Sequence, residues 1–522
     1  MSKEVLIVNL TRLGDLVQST PLIEKIKSEC PDCKISILVN EVFREITNYM
    51  NVDRIFTLNL HKLQEFLVDD NNNLDDIIVF LENSLKELKK RKFAYIINLT
   101  HSSFANYLIG YIKDKNSIVL GSYIDRFNKF RINNDCFFYL RTVFLKRITN
   151  PFNIVDIYQH SWDFVSGSKK NYFLKLKEIG DTEFDLKKPY VVIHPGASEE
   201  KKQWYVQYFA KVSEFIGKKY ENYTIYLTGI EKERKLEKYF SNVISLIGKT
   251  NLQQLIYVIK NASLLITNDT GIIHIAAVYK IPIIEISTGE ILYTETSPYS
   301  EGNFIFQSEV ECSPCSFRIQ CPKHICKEKI LPNYIYPAIE KVLSGRKKDF
   351  PQGEYNLYKT CFDKGFLDYN VIKNNVFTKK HFLLSFYRYF WLVLFGYIPF
   401  SQAKVSFKNR IKDKEGNFYD DLLREFQILE NFLLQIISTL RKLSSSVNSS
   451  KYSYFLEKYN LLEEEFFKEV SKFSDTKSII DFFEGKLFLS DVKKENLISH
   501  YLSVYGKFYE GIKLGLKLLN DE

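Results

Sequence analysis

The chain is organised by a rhythm: short aliphatic and β-branched runs, each closed by Gly, Asn, Asp or Pro and followed by an amphipathic stretch. Runs apolar along their whole length suit strands buried on both faces, and such strands joined through helices form parallel sheets. Segments 5–10, 34–39, 93–99 and 117–120 make a first series, and 190–194, 224–228, 264–267 and 281–286 a second. A polar stretch near 175–188 divides them. The pattern predicts two doubly wound α/β domains, 1–175 and 185–345. The chain has 522 residues, 45% of them hydrophobic, enough for about three domains with real cores, which excludes general disorder.

After a linker-like stretch at 345–353 the predicted character becomes helical, and residues 355–522 read as an all-helical extension. Leu422, Phe426, Leu429, Leu433, Ile436, Leu440 and Leu443 alternate spacings of four and three, a heptad seam. A Ser-rich turn is expected at 444–450, with helices resuming at 454–473 and 497–519. The seam fits a helical hairpin or a contact between copies of the chain, a homo-oligomer.

Charge and cysteine usage narrow the function classes. There are 72 Lys and Arg against 63 Asp and Glu, a net +9 that is mild for this length and gives no argument for nucleic acid. Eight cysteines are too few for a disulfide scaffold. The N-terminal apolar run of six residues is shorter than a signal h-region, and the twelve-residue run 389–400 is well short of the ~20 that span a bilayer. The expectation is a cytoplasmic protein.

Four segments carry chemistry. In the first, a buried strand ends at Gly14 and Asp15 opens a helix. Ligands of doubly wound sheets bind at the carboxyl ends of strands, so this carboxylate is either a base facing a crevice or an ordinary helix cap. In the second, His194-Pro-Gly-Ala-Ser198 is followed by Lys202, with Gly196 and Ser198 in the turn. Backbone N–H groups and an ammonium there make a phosphate cradle, or a tight turn beside solvated lysines. The third places Asp269, Thr270 and Gly271 where a strand gives way to a helix, with His274 one turn on. An acid there binds ribose hydroxyls and the Thr-Gly amides a diphosphate, while a helical His alone is often a packing residue. The fourth is a cluster, Cys312, Cys315, Cys321 and Cys326, spaced C-x2-C-x5-C-x4-C. Its opening pair fits a thiolate metal knuckle and its second pair does not fit a standard zinc ribbon, so buried thiols or a labile disulfide compete with structural zinc or iron.

In order and spacing, these motifs resemble glycosyltransferase family 9, the ADP-heptose:lipopolysaccharide heptosyltransferases. The marks are Leu13-Gly-Asp15, Ile97-Asn-Leu-Thr100, His194-Pro-Gly-Ala-Ser198 with Lys202-x-Trp204, Leu246-x-Gly-Lys-Thr250, Asn268-Asp-Thr-Gly-x-x-His274 and the Cys-x-x-Cys cluster, over about 3–345. The resemblance implies a GT-B fold of two Rossmann-like domains, acceptor on the first and nucleotide sugar on the second. It implies inverting single-displacement transfer from an ADP-sugar to a lipopolysaccharide-core or similar glycan, without a catalytic cofactor. By the same carry-over Asp15 is the general base, Lys202 neutralises the donor phosphate, Asp269, Thr270 and Gly271 hold ribose and diphosphate with His274 near, and Glu233 serves the nucleoside or heptose. There are two departures. Asn9 stands where the family often has Arg, and Ile286-Ser-Thr-Gly-Glu290 replaces its usual Phe-Gly-Pro-Thr.

Two other readings share the motifs: a protein heptosyltransferase of the autotransporter-modifying type, and a non-catalytic nucleotide-sugar-binding protein. The tail suggests a location. Between 371 and 412 lie eight basic residues and no acidic ones, flanking the aromatic run 389–400. That composition suits the headgroup layer of an anionic bilayer, on the inner membrane face, or else a helix that packs the tail onto the catalytic domains.

Overall fold

The computed structural model describes residues 3–520 apart from 69–73, 147–148, 181, 183, 311, 316–320, 322, 374–376, 413–417, 448 and 490–495. Residue 448 of the expected 444–450 turn, 374–376 of the basic window and 181 and 183 of the polar break thus lie outside the description. The chain divides into two compact units, 1–119 with 152–375 and 120–151 with 376–522.

The first unit holds both predicted sheets. Strands β1 (Glu4–Asn9), β2 (Lys34–Asn40), β3 (Arg54–Leu58) and β4 (Tyr95–Asn98) run parallel in the order β3-β2-β1-β4. Ile7 pairs in register with Ile37 on one side and Ile97 on the other, and Val5 through Val8 are wholly buried, as a run without polar alternation requires. In the second unit, residues from 120 onward of strand β5 (Ile118–Ile124) make an antiparallel hairpin with β6 (Phe130–Asn133).

The second sheet contains β7 (Tyr190–His194), β8 (Thr224–Leu227), β9 (Ile244–Ser245), β10 (Leu264–Asn268), β11 (Ile283–Ser287) and β12 (Phe304–Ser308). Their parallel order is β9-β8-β7-β10-β11-β12, the doubly wound arrangement with its reversal between β7 and β10. Ile193, Leu227, Ile266, Ile284 and Phe306 share one core with Trp204, Phe209 and, from the helix Pro332–Ser344, Ile335 and Ile339. The architecture is α/β with two Rossmann-like sheets, plus helices toward the C-terminus.

Residues 355–373 depart from the helical expectation. They form β13 (Tyr355–Asp363) and β14 (Phe366–Lys373), an antiparallel pair added to the β12 edge of the second sheet. The two-residue turn Lys364-Gly365 has positive φ at both positions, 55° and 85°, the geometry that matches strand twist in a tight hairpin. A Lys-Gly dipeptide between aromatic-rich runs was the available signal.

The second unit buries the first part of the aromatic run, residues 389–392. In the helix Lys379–Leu394, Phe386, Phe390 and Trp391 are fully buried. Trp391 meets Tyr139 and Phe482 edge-on, with centroids 5.3 and 5.1 Å away, and Phe386 meets Phe426 at 5.7 Å. Lys379 pairs with Asp421 and Asp475, and Arg388 is 1% exposed. A core helix with partnered flanking cations has the same composition as an interfacial one, so only packing separates them. No described helix is long and apolar enough to cross a membrane. The heptad seam is also spent within the chain. All seven of its residues are buried, and their helix, Tyr419–Ser445, packs against Tyr452–Val470 and Leu497–Leu519.

Trp391→Ala is therefore expected to destabilise the protein by about 3–5 kcal/mol, the usual cost of emptying a large aromatic site in a core. Urea unfolding checks this, and a wild-type midpoint would return the ring to a surface.

Candidate active site

Both sheets of the first unit present their strand carboxyl ends to one cleft of about 640 Å3. From the β1 side it is lined by Arg12, Leu13, Gly14, Asp15 and Gln18. From the β7, β8 and β10 sides come His194, Ser198, Lys202, Glu233, Asp269, Thr270, Gly271 and His274, with Glu290 after β11. Every predicted catalytic and donor residue lines this cleft except Gly196, which abuts the Glu233 carboxylate just behind it. The volume lies within the ordinary range for a small-molecule site.

The two halves meet at a pair of glycines. A Cβ placed on Gly14 would lie 2.9 Å from the His274 ring and 3.0 Å from the Gly271 Cα. One placed on Gly271 would lie 3.2 Å from the Gly14 nitrogen. The helices Leu13–Gln18 and Gly271–Val278 can approach this closely because the two residues in backbone contact, Gly14 and Gly271, carry no side chain. That contact sets Asp15 opposite the Asp269-Thr270-Gly271 turn.

Asp15 is held in place from behind. Its Oδ2 accepts the Arg12 backbone N–H at 3.0 Å, and its carbonyl accepts the buried Asn9 side chain at 3.1 Å. Asn9, the departure from the family's Arg, thus fixes the turn that carries Asp15. Cap and cleft-facing carboxylate are one residue here. Tyr158 lies near: burial first, then the Asp15 charge, pushes its hydroxyl well above its ordinary value. Arg12 reaches over the cleft, donating to the Ser198 hydroxyl at 3.1 Å.

On the other side, Asn268 staples two motifs. Its amide donates to the carbonyls of Pro195 and Gly196 at 2.9 and 3.1 Å, while its oxygen accepts the Trp204 N–H at 2.9 Å. The turn after β7 and the Lys202-x-Trp204 segment are thereby set on the end of β10. Lys202 points into the cleft with its Nζ 3.2 Å from Glu290 Oε1, and Lys201 grips the other Glu290 oxygen. Glu233 accepts the Ile230 N–H at 2.9 Å, and burial raises its pKa. Asp269 Oδ1 accepts the Thr296 hydroxyl at 3.2 Å.

Burial sets the charge of three deeper groups. His274 and His194 are held down to about 3 and about 4 by desolvation, so both are neutral at physiological pH. Beneath Asp269 lies Glu285, wholly buried on β11, its carboxyl raised first by desolvation and then by the Asp269 charge. One oxygen accepts the Ser287 hydroxyl at 2.5 Å. Its proton spares the core a second negative charge behind Asp269.

Sequence reasoning did not name Arg12, His194, Lys201, Glu285 or Glu290 as site residues. His194 and Glu290 stood inside quoted motifs, and both mark strand ends, which was a usable signal. Glu285 reads as one polar residue in an apolar strand, a buried acid in want of an explanation.

The four cysteines of the cluster differ in exposure. Cys312 is exposed, Cys315 and Cys326 are buried, and no described group of three or more His, Cys, Asp or Glu side chains is arranged to hold an ion. None of the four is joined in a disulfide. Burial raises the pKa values of both Cys315 and Cys326, and the nearby thiols add to it. A bond from the Cys315 N–H to the Gly289 carbonyl, 3.0 Å, ties the cluster to the loop that bears Glu290.

Residues 130–325 match the model of "Glycosyltransferase family 9 (heptosyltransferase)". The chain is 31% identical over 163 residues to a lipooligosaccharide heptosyltransferase 2 of Campylobacter jejuni, covering 29% of this chain and 50% of that protein. It is 26% identical over 305 residues to a lipopolysaccharide heptosyltransferase 1 of Campylobacter coli, covering 54% and 83%. The chain spans about half the length of the first of these curated relatives. Among solved structures, Escherichia coli heptosyltransferase WaaC with ADP superposes with a TM-score of 0.48 at 15% identity, covering 65% of this chain and 99% of that one.

Because Glu285 holds a proton in the native state that the unfolded chain releases, its contribution to stability is complete below the ordinary glutamate pKa. It is lost as pH rises through the raised one. Glu285→Gln should flatten that slope, gaining on wild type as pH rises from about 5 to about 9. Parallel urea midpoints across that range would refute the assignment.

Proposed function

We propose that this chain, which carries a glycosyltransferase family 9 region, transfers a heptose or related sugar from an ADP-sugar to a lipopolysaccharide-core or similar glycan by single displacement with inversion. The observation that carries this reading is one cleft in which a helix-start carboxylate from the first sheet faces a lysine, an aspartate and a Thr-Gly helix start from the second. The two reactants of a group transfer, one losing a proton and the other gaining negative charge, call for that division.

In this reading Asp15 takes the proton of the acceptor hydroxyl as it attacks the anomeric carbon. Its backbone hydrogen bonds fix the carboxylate beforehand, so little reorganisation is needed at the moment of transfer. The leaving diphosphate gains negative charge as the glycosidic bond breaks. Lys202 and the backbone amides at Thr270-Gly271 stabilise that charge where it develops. Asp269 and Glu233 accept hydrogen bonds from hydroxyls of the bound donor. Neutral His274 and His194 add apolar bulk and uncharged polar edges without competing for the phosphates. No step in this account requires a metal.

Asp15→Asn is expected to keep the fold and ADP affinity while losing at least about 100-fold in turnover, the scale of a general base. Steady-state transfer from ADP-heptose, read with a direct ADP-binding assay, checks it; near wild-type turnover would remove Asp15 from its role.

Lys202→Ala and Asp269→Ala should both weaken ADP binding, and Lys202→Ala should also slow transfer at saturating donor, because its contact strengthens as the bond breaks. Unchanged affinity and rate in both variants would sink the donor-site assignment. Nucleotide release measured over a panel of nucleotide sugars would show whether ADP-heptose is preferred.

A further inference from the structure

Glu290 stands in the loop where this sequence departs from its family, and the loop is anchored rather than loose. The Thr288 hydroxyl donates to the Lys201 carbonyl at 3.3 Å, and the Gly289 carbonyl accepts the Cys315 N–H at 3.0 Å. Between these ties the Glu290 side chain is 3% exposed and bridges two ammonium groups, Lys201 through one oxygen and Lys202 through the other. Lys201 also reaches Glu199 at 3.3 Å, and its pKa is raised, chiefly by the bond to Glu290. The phosphate-facing end of the cleft is therefore a two-lysine cluster that already contains a buried carboxylate.

A lysine ammonium has three donors. With one committed to Glu290, Lys202 keeps two for an arriving phosphate and is held from swinging away from the cleft. The same carboxylate adds a negative charge to the site in a partly dry environment, where charges act strongly. It therefore opposes most the species with the most charge, which in a sugar transfer from a nucleoside diphosphate is the product diphosphate rather than the donor.

We propose that Glu290 is a positioning residue that sets Lys202 for the donor diphosphate and, by keeping one negative charge among the lysines, weakens retention of the product nucleoside diphosphate. The inference rests on the donor-site reading above and deepens it: the cleft is tuned for release as well as for binding.

The test is calorimetric binding of ADP, and separately of inorganic pyrophosphate, to the full chain at several salt concentrations, alongside steady-state transfer. Glu290→Gln keeps an acceptor for Lys202 but removes the charge. It should bind both probes about tenfold more tightly, with a steeper salt dependence, and lower KM for the donor without raising kcat. Glu290→Asp restores the charge and should return affinity toward wild type. Lys201→Gln supplies an independent arm, leaving Glu290 wholly to Lys202, and should weaken ADP binding. Binding of ADP by wild type with unchanged affinity and salt slope in Glu290→Gln overturns the inference alone. Weakened binding in both Gln and Asp variants also overturns it, since that marks a purely structural bridge. Failure of wild type to bind either probe overturns the donor-site reading and the inference together. If Glu290→Gln does not fold, unchanged ADP affinity in Lys201→Gln is sufficient to reject it.

Discussion

The close approach of Gly14 and Gly271 is the constraint on which the site depends. Two doubly wound sheets each deliver polar residues to their strand ends, but those ends act on one substrate pair only if they face each other within a few ångströms. The helix starts after β1 and β10 achieve this by meeting through bare backbone, with the His274 ring packed against the contact. A larger residue at either glycine must push apart backbone that has little room to give. Asp15 and Asp269 thus owe their opposition to two positions that carry no chemistry themselves.

Behind that contact, hydrogen bonds from amide side chains hold the loops. Asn9 holds the turn of Asp15, and Asn268 holds both the turn after β7 and the segment leading to Trp204. Both asparagines are wholly buried, so each unmade bond would cost a desolvated polar group, and the loops inherit that rigidity. The buried ionisable groups follow the same logic. His274, His194 and Glu285 are all driven to their neutral forms, while Asp15, Lys202, Asp269 and Glu290 line the cleft together with Arg12, Glu199, Lys232 and Glu233.

The parts of this arrangement legible in sequence were those with a local signature. Strands β1, β7 and β10 announce themselves as apolar runs closed by Gly, Asp or Pro, and the motifs at Asp15, Lys202 and Asp269 follow directly on them. The β13–β14 hairpin was hidden because its strands mix Tyr, Lys and Asn, and a two-sided edge position lacks the continuous apolar run of a central strand. The aromatic run of 389–400 was ambiguous for a different reason. Composition reports what a helix can bury but not against what, and Tyr139, Phe426 and Phe482 lie far from it in sequence. Glu285 needed the sheet register to be recognised, since pairing of β10 with β11 sets it behind Asp269.

The central claim is that the glycine contact sets the acceptor-side carboxylate against the donor site, and Gly14→Ala tests it most directly. The added methyl meets the His274 ring and Gly271 Cα, so the two helix starts must separate while each sheet keeps its own residues. Overpacking of this kind costs about 1–3 kcal/mol, which the folded protein should survive. The account predicts ADP affinity within about threefold of wild type and transfer from ADP-heptose reduced about 100-fold, since a displacement near 1 Å carries that penalty. Transfer at the wild-type rate in a folded Gly14→Ala protein would contradict it.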